Sequence, residues 1–311
     1  MTRLREGLED YLSLRRGLGF KLERPGQLLA DFVGFLEHAG APTVTTALAL
    51  TWATAPAGAD PSWWQLRLAA VRPFARHLSA FIPGTEVPPP GLLPGPVSRR
   101  AVPYLYSPAE ITALMTAAGA IRPPLRAATY QTLIGLLAVT GMRVGEAIRL
   151  DRGDVDTGNG LVTIRTSKFG KSRQLPVHPT TARALAGYDA LRDRRAPRPA
   201  TPAFFVSLTG TRLIYNNVHS TFHQLARAAG LAPRSARCRP RIHDLRHSFA
   251  VATLLGWYQD SGDVAARLPL LSAWLGHADP GNTYWYLTGT PELPALAAAR
   301  LEATAAEGEP R

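Results

Sequence analysis

The chain has 311 residues, enough for one large domain or two ordinary ones, and 46% hydrophobic content supplies ample core. Thirty-five Lys and Arg against 23 Asp and Glu give a formal net charge of +12, which favours a polyanionic partner, nucleic acid before an anionic membrane. The single cysteine, Cys238, excludes an intramolecular disulfide and a cysteine-rich metal site. No long apolar run and no signal-like start are present, so the expectation is a cytoplasmic protein with no membrane partner.

Residues 1–82 read as helices. Leu4, Leu8, Tyr11, Leu12 and Leu14 form one apolar stripe, and Leu28, Leu29, Phe32, Val33, Phe35 and Leu36 form another. A third helix is predicted over 45–55, and a fourth from Pro61 to Phe81 with a bend or break at Pro73. Arg72 and Arg76, four apart, share a face that is either solvated or in contact with phosphate. Residues 83–103 hold seven prolines and no hydrophobic period, which predicts an extended linker able to let two domains close on a rod-shaped ligand.

Beyond the linker, residues 104–311 open on Ser107-Pro-Ala-Glu110, a capping box with proline at the first helical position. Helices are predicted over 107–118, 124–140 and 144–150. A β-hairpin follows, with strands over 160–166 and 172–178 joined through Lys168-Phe-Gly-Lys171. Then come a helix over 180–194, a short strand at 203–206, and helices near 215–229, 243–256, 263–275, 281–287 and 291–304. The fold class expected is mainly α with a small antiparallel β-sheet, α+β.

Only three of the basic residues are lysine: Lys21, Lys168 and Lys171. An ammonium can release a proton and a guanidinium effectively cannot, so the hairpin pair is a candidate source of acid chemistry. His243-Asp-Leu-Arg246-His247 opens a helix, and residues three apart address one ligand. Arginine offers a planar fork to phosphate oxygens, and histidine moves protons near neutral pH. Arg143 could complete a two-guanidinium clamp. The pairs His243/His247 and His219/His223 have a spacing that suits zinc, yet position 244 is Asp, position 246 is Arg, and a cation beside His243 repels a metal. His247 reads as a supporting or core histidine. Gly170-Lys171-Ser172 lacks the upstream glycine of a phosphate-binding loop, since position 165 is Arg.

The order Arg143, Lys168 on a hairpin, His243-x-x-Arg246, Leu275-Gly-His277 and then Tyr286 nine residues on resembles the tyrosine recombinase family of phage integrases and bacterial Xer proteins. Asn282-Thr-Tyr-Trp-Tyr286-Leu resembles transposon- and plasmid-encoded integrases more locally. The resemblance implies a helical DNA-binding domain over 1–82 and a catalytic domain over 104–311 with a tail helix. It implies site-specific recombination of double-stranded DNA by a homo- or hetero-tetramer on two sites, with other recombinases as further partners. Neither cofactor nor metal is implied.

On the same resemblance, Tyr286 is the nucleophile and Arg143 and Arg246 clamp the non-bridging oxygens. His243 assists proton transfer, His277 donates a hydrogen bond to phosphate, and Lys168 protonates the leaving 5′-oxygen. Glu146 is expected to orient the Arg143 region. Tyr284 lies about 200° around a helix from Tyr286 and becomes a packing residue. The segment from Trp257 to Asp263 looks longer than in typical members. The apolar stripe Leu293, Leu296, Ala297 and Leu301 either packs on its own domain or docks in a neighbouring subunit. Two rival functions share the chemistry or the fold: a type IB topoisomerase and an inactive DNA-binding regulator.

Overall fold

The computed structural model describes residues 2–93, 102–165, 172–260, 263–277, 279, 281–284 and 286. The chain divides into two compact units, Met1–Arg100 and Ala101–Arg311. Lys168, Lys171 and the stripe from Leu293 to Leu301 lie outside the described residues.

The first unit packs α1 (Arg3–Gly17), α2 (Glu23–His38), α3 (Thr46–Thr54) and α4 (Pro61–Leu78) around Leu29, Phe32, Leu36, Leu68, Phe74 and Leu78. Thr2, Thr45 and Asp60 cap α1, α3 and α4 by accepting from first-turn amides that have no partner within the helix. Pro73 was expected to bend or break the fourth helix; α4 continues through it without a break. The buried neighbours Val71, Phe74 and Ala75 supply packing that offsets the lost backbone bond.

Arg72 has a structural role that its sequence did not signal. Its guanidinium donates to the carbonyls of Pro88 (3.1 Å) and Pro89 (3.2 Å). The Glu86 amide donates to Val44, and the Glu86 carboxylate accepts from Thr46 at the start of α3. Val87 and Leu93 pack on the first core. Residues 83–93 are therefore fastened to the first unit.

In the second unit, α5 (Pro108–Gly119), α6 (Pro124–Thr140), α8 (Pro179–Arg195) and α9 (Tyr215–Ala228) enclose Leu114, Leu133, Ile134, Phe204, Phe205 and Phe222. The Ser107–Glu110 capping box forms as predicted. An antiparallel sheet in the order β1 (Val155–Asp156), β2 (Leu161–Ile164), β3 (Arg173–Pro176) closes one side of this core. Its register pairs Val162 with Leu175 and Ile164 with Arg173, and Val162, Ile164 and Leu175 point inward. The described strands are shorter than predicted, and β1 was not anticipated. The strand expected at 203–206 is absent: Ala203 and Val206 form only isolated bridges. Phe204 and Phe205 are both core residues there, and a one-sided alternating strand could not bury both.

A second cluster joins α10 (Asp244–Gln259) to α11 (Val264–Leu275) through Leu254, Val264, Leu268, Leu271 and Leu275, and includes Tyr286. The tenth helix runs past Gly256, so Trp257 and Tyr258 lie in its last turn and pack on this cluster. α7 (Val144–Arg149) and α12 (Gly281–Tyr284) are short and sit where the site is built.

Candidate active site

The candidate site is assembled at the C-terminal end of α11. The last carbonyls of a helix have no amide partners within it and carry the negative end of its dipole, so cations settle there. Three successive carbonyls each receive a different arginine. Trp274 O accepts from Arg173 Nε (2.7 Å), Leu275 O from Arg246 (2.8 Å) and Gly276 O from Arg143 (3.2 Å). Gly276 caps the helix in the left-handed conformation, φ 67°. The following amide, of His277, bonds back to Ser272 O and delivers the His277 ring to the same corner.

Arg143 precedes α7 as its N-cap. Its amide donates to Glu146 Oε2 and its guanidinium to Glu146 Oε1, both at 2.9 Å. Glu146 is buried and is also forked by Arg173, at 2.8 and 3.2 Å. Burial alone would raise the Glu146 pKa; Arg173 and then Arg143 outweigh it and hold the carboxyl below its ordinary value. Glu146 thus orients Arg143 as expected from the sequence, and Arg173 completes the seat. Arg173 was not singled out in the sequence. Its signal, an arginine at the first residue after the hairpin turn, is no different from that of its many surface counterparts.

Arg246 is only 2% exposed. Besides Leu275 O it donates to Gly141 O (2.8 Å) and to Nε2 of His277 (2.8 Å). Gly141 ends α6 with φ 61°, and a Cβ there would stand 2.5 Å from Phe249, so only glycine presents that carbonyl. Burial lowers the Arg246 pKa to about 10, with the Tyr286 charge and hydrogen bond opposing and Arg143 assisting. The residue remains a cation at neutral pH.

His243 stands just before α10 and Arg246 lies in its first turn, one turn apart on the same side. The turn is pinned by Asp244, fully buried, which Arg241 forks at 2.9 and 2.8 Å. Burial raises the Asp244 pKa against the pull of Arg241. His243 keeps an exposed face. The protein packed around its ring, and then Arg246, Arg143 and Arg241, push its pKa down to about 4. Burial and then the neighbouring His243 and Arg241 push His247 to about 3. Burial followed by Arg246, Arg143 and Arg173 pushes His277 to about 4. All three imidazoles are neutral at pH 7 and can accept a proton or a hydrogen bond.

Tyr286 is 3% exposed and lies between two of these rings. It stacks on His277 (centroids 6.0 Å, 14°) and is tilted against His247 (5.4 Å). Tyr284, expected to be a packing residue, is 55% exposed. The two tyrosines do not share a face, as their spacing requires, and with Tyr286 inward Tyr284 is left in solvent. Five of the six predicted residues therefore converge: Arg143, His243, Arg246, His277 and Tyr286. The sixth, Lys168, lies outside the described residues, between β2 and β3. Among the described residues no group of three or more His, Cys, Asp or Glu could hold a metal ion.

The model of the phage integrase family matches residues 106–292, well over half of the chain. The chain belongs to the phage integrase family. A Sinorhizobium fredii member, y4rB, named as a candidate integrase/recombinase, is 46% identical over 310 residues, covering 97% of this chain and 98% of its own. Tyrosine recombinase XerC of Mycobacterium bovis is 29% identical over 326 residues and covers 100% of both chains. Among solved structures, the Tn1549 transposon integrase in complex with transposon right-end DNA shares the fold, with a TM-score of 0.66 at 14% identity over 98% of this chain and 100% of that one. This integrase is a site-specific DNA recombinase of the tyrosine type. No helix among its described residues is long and apolar enough to cross a membrane.

Proposed function

We propose that this recombinase cuts and rejoins DNA through Tyr286, leaving a 3′-phosphotyrosyl link and a free 5′-hydroxyl. The observation that carries the reading is the meeting of Arg143, Arg246, His277 and Tyr286, drawn from distant segments, on one helix end. Tyr286 Oη attacks phosphorus while the bond to the 5′-oxygen breaks. Arg143 and Arg246 hold the non-bridging oxygens as negative charge builds, a role suited to cations fixed in advance. His243, neutral at pH 7, takes the tyrosyl proton. His277 donates to a phosphate oxygen, and Lys168 supplies a proton to the departing 5′-oxygen. One ester replaces another, so the chemistry requires neither nucleotide hydrolysis nor metal.

Exchange between two duplexes requires four strands to be cut, each by one nucleophile, so the working unit is a tetramer of this chain or of this chain with partner recombinases. The helical first unit serves as a DNA-binding arm, and the net charge of +12 supplies salt-dependent affinity. A mobile element in the cytoplasm is the setting we favour, by likeness to integrases.

The test uses a duplex selected from random sequence by binding to the Tyr286→Phe protein, then nicked beside the scissile position. The wild type is expected to form a covalent adduct, and Tyr286→Phe to bind equally and form none. An undiminished adduct with Tyr286→Phe would overturn the assignment. Relaxation of supercoiled plasmid lacking the selected site would favour the topoisomerase reading instead.

A further inference from the structure

The hydrogen bond between Arg246 and His277 fixes which imidazole nitrogen carries the proton. A guanidinium has donors only, so His277 Nε2, 2.8 Å away, must accept. The ring is neutral, which leaves its proton on Nδ1. That atom lies 2.7 Å from Oγ1 of Thr283, a residue only 1% exposed. In the DNA-free protein, therefore, Nδ1–H donates and the Thr283 hydroxyl accepts.

The proposed role of His277 needs the opposite arrangement. To donate to a phosphate oxygen from the edge that now faces Arg246, Nε2 must carry the proton and Nδ1 must accept. A hydroxyl can serve both states, because it donates as readily as it accepts. We propose that Thr283 is a positioning residue whose hydroxyl lets His277 exchange tautomers as the phosphate engages Arg246. The proton on Nδ1 leaves to solvent, one from solvent arrives on Nε2, and the Thr283 hydroxyl turns from acceptor to donor. Net charge does not change. The inference rests on the phosphate-binding role given to His277 above. Thr283 is buried, and without its hydroxyl the imidazole nitrogen it faces would lose that partner in the active tautomer. Its position also matters: α12 carries Thr283 three residues before Tyr286, so the same turn that seats the nucleophile holds the histidine's far nitrogen.

Two measurements on the full chain test this. Nitrogen-15 NMR of histidine-labelled wild-type protein, with His277→Gln used for assignment, is expected to show His277 with its proton on Nδ1. A proton on Nε2 overturns the inference whatever the enzyme does. The second measurement is the rate of adduct formation on the selected, nicked duplex. Thr283→Val is expected to slow it about tenfold or more, as when a partner fixing an imidazole is removed. Duplex affinity should stay within about twofold, and Thr283→Ser should recover most of the rate. Acid supplies Nε2–H without a tautomer exchange, so the gap between wild type and Thr283→Val should narrow as pH falls from 7 toward the His277 value of about 4. A purely structural role would leave that gap unchanged. Full activity of Thr283→Val, failure of serine to rescue, or a constant gap each overturn the proposal. Absence of any adduct with the wild type would instead refute strand cleavage itself, leaving the NMR result to judge Thr283.

Discussion

A Cβ on Gly276 would stand 2.5 Å from Nη1 of Arg173. The glycine thus makes room for the guanidinium that braces Glu146 and the end of α11. Gly276→Ala adds left-handed strain of about 1–2 kcal/mol and displaces Arg173. We expect a lower urea midpoint and at least a tenfold slower adduct rate, although Gly276 offers no side chain to the reaction.

Glu146 is the one carboxylate among the described residues at the centre of this cluster, bonded to both Arg143 and Arg173. Removing it leaves the largely buried Arg173 without its counter-charge. Glu146→Ala should cost about 3–5 kcal/mol, the usual consequence of breaking a buried pair from one side. Urea titration at pH 7 measures this. Glu146→Gln keeps one acceptor oxygen, which both guanidiniums can reach, and should lose less.

Lys168→Arg keeps the positive charge and removes the usable proton. Adduct formation should fall far more than duplex affinity. Sulfur in place of the bridging 5′-oxygen gives a leaving group that needs no protonation, so such a duplex should restore the mutant's rate. Equal loss of binding and cleavage, or no rescue by sulfur, would refute the acid role.

The three depressed histidines of the site set a pH dependence. His243 and His277 titrate near 4 and His247 near 3 in the folded protein, against an ordinary value of 6.5. Between those limits the unfolded chain binds more protons than the folded one, so acid favours unfolding. Their contribution is fully present above about pH 6.5 and is lost as pH falls toward 4. Thermal melts should therefore decline from pH 7 to pH 4.5, and less steeply in His247→Gln. A flat profile in the wild type would contradict the burial of these rings.

The sequence was most informative about which distant residues meet at the end of α11. Arg143, His243, Arg246, His277 and Tyr286 were legible from their order and spacing, and the helices from their apolar periods and caps. Arg173 and Thr283 were not legible, since each is an ordinary residue type whose meaning comes from a partner more than a hundred residues away or across a tight turn. The fastening of residues 83–93 was equally hidden: proline marks an extended path but not the surface it follows, and Arg72 decides that. At 203–206 local β-propensity favoured a strand, and the burial of Phe204 and Phe205 together overrode it.

The three arginines at the end of α11 are seated on peptide oxygens, and that choice of acceptor has an electrical meaning. A carboxylate would hold a guanidinium equally well but would cancel its charge and surrender its grip in acid. Carbonyls do neither. Among the described residues, the carboxylate bonded to these arginines is that of Glu146, which Arg143 and Arg173 share, so three guanidiniums meet one bonded negative charge while their geometry stays fixed. Position has been separated from neutralisation, and the unspent charge is left for the DNA.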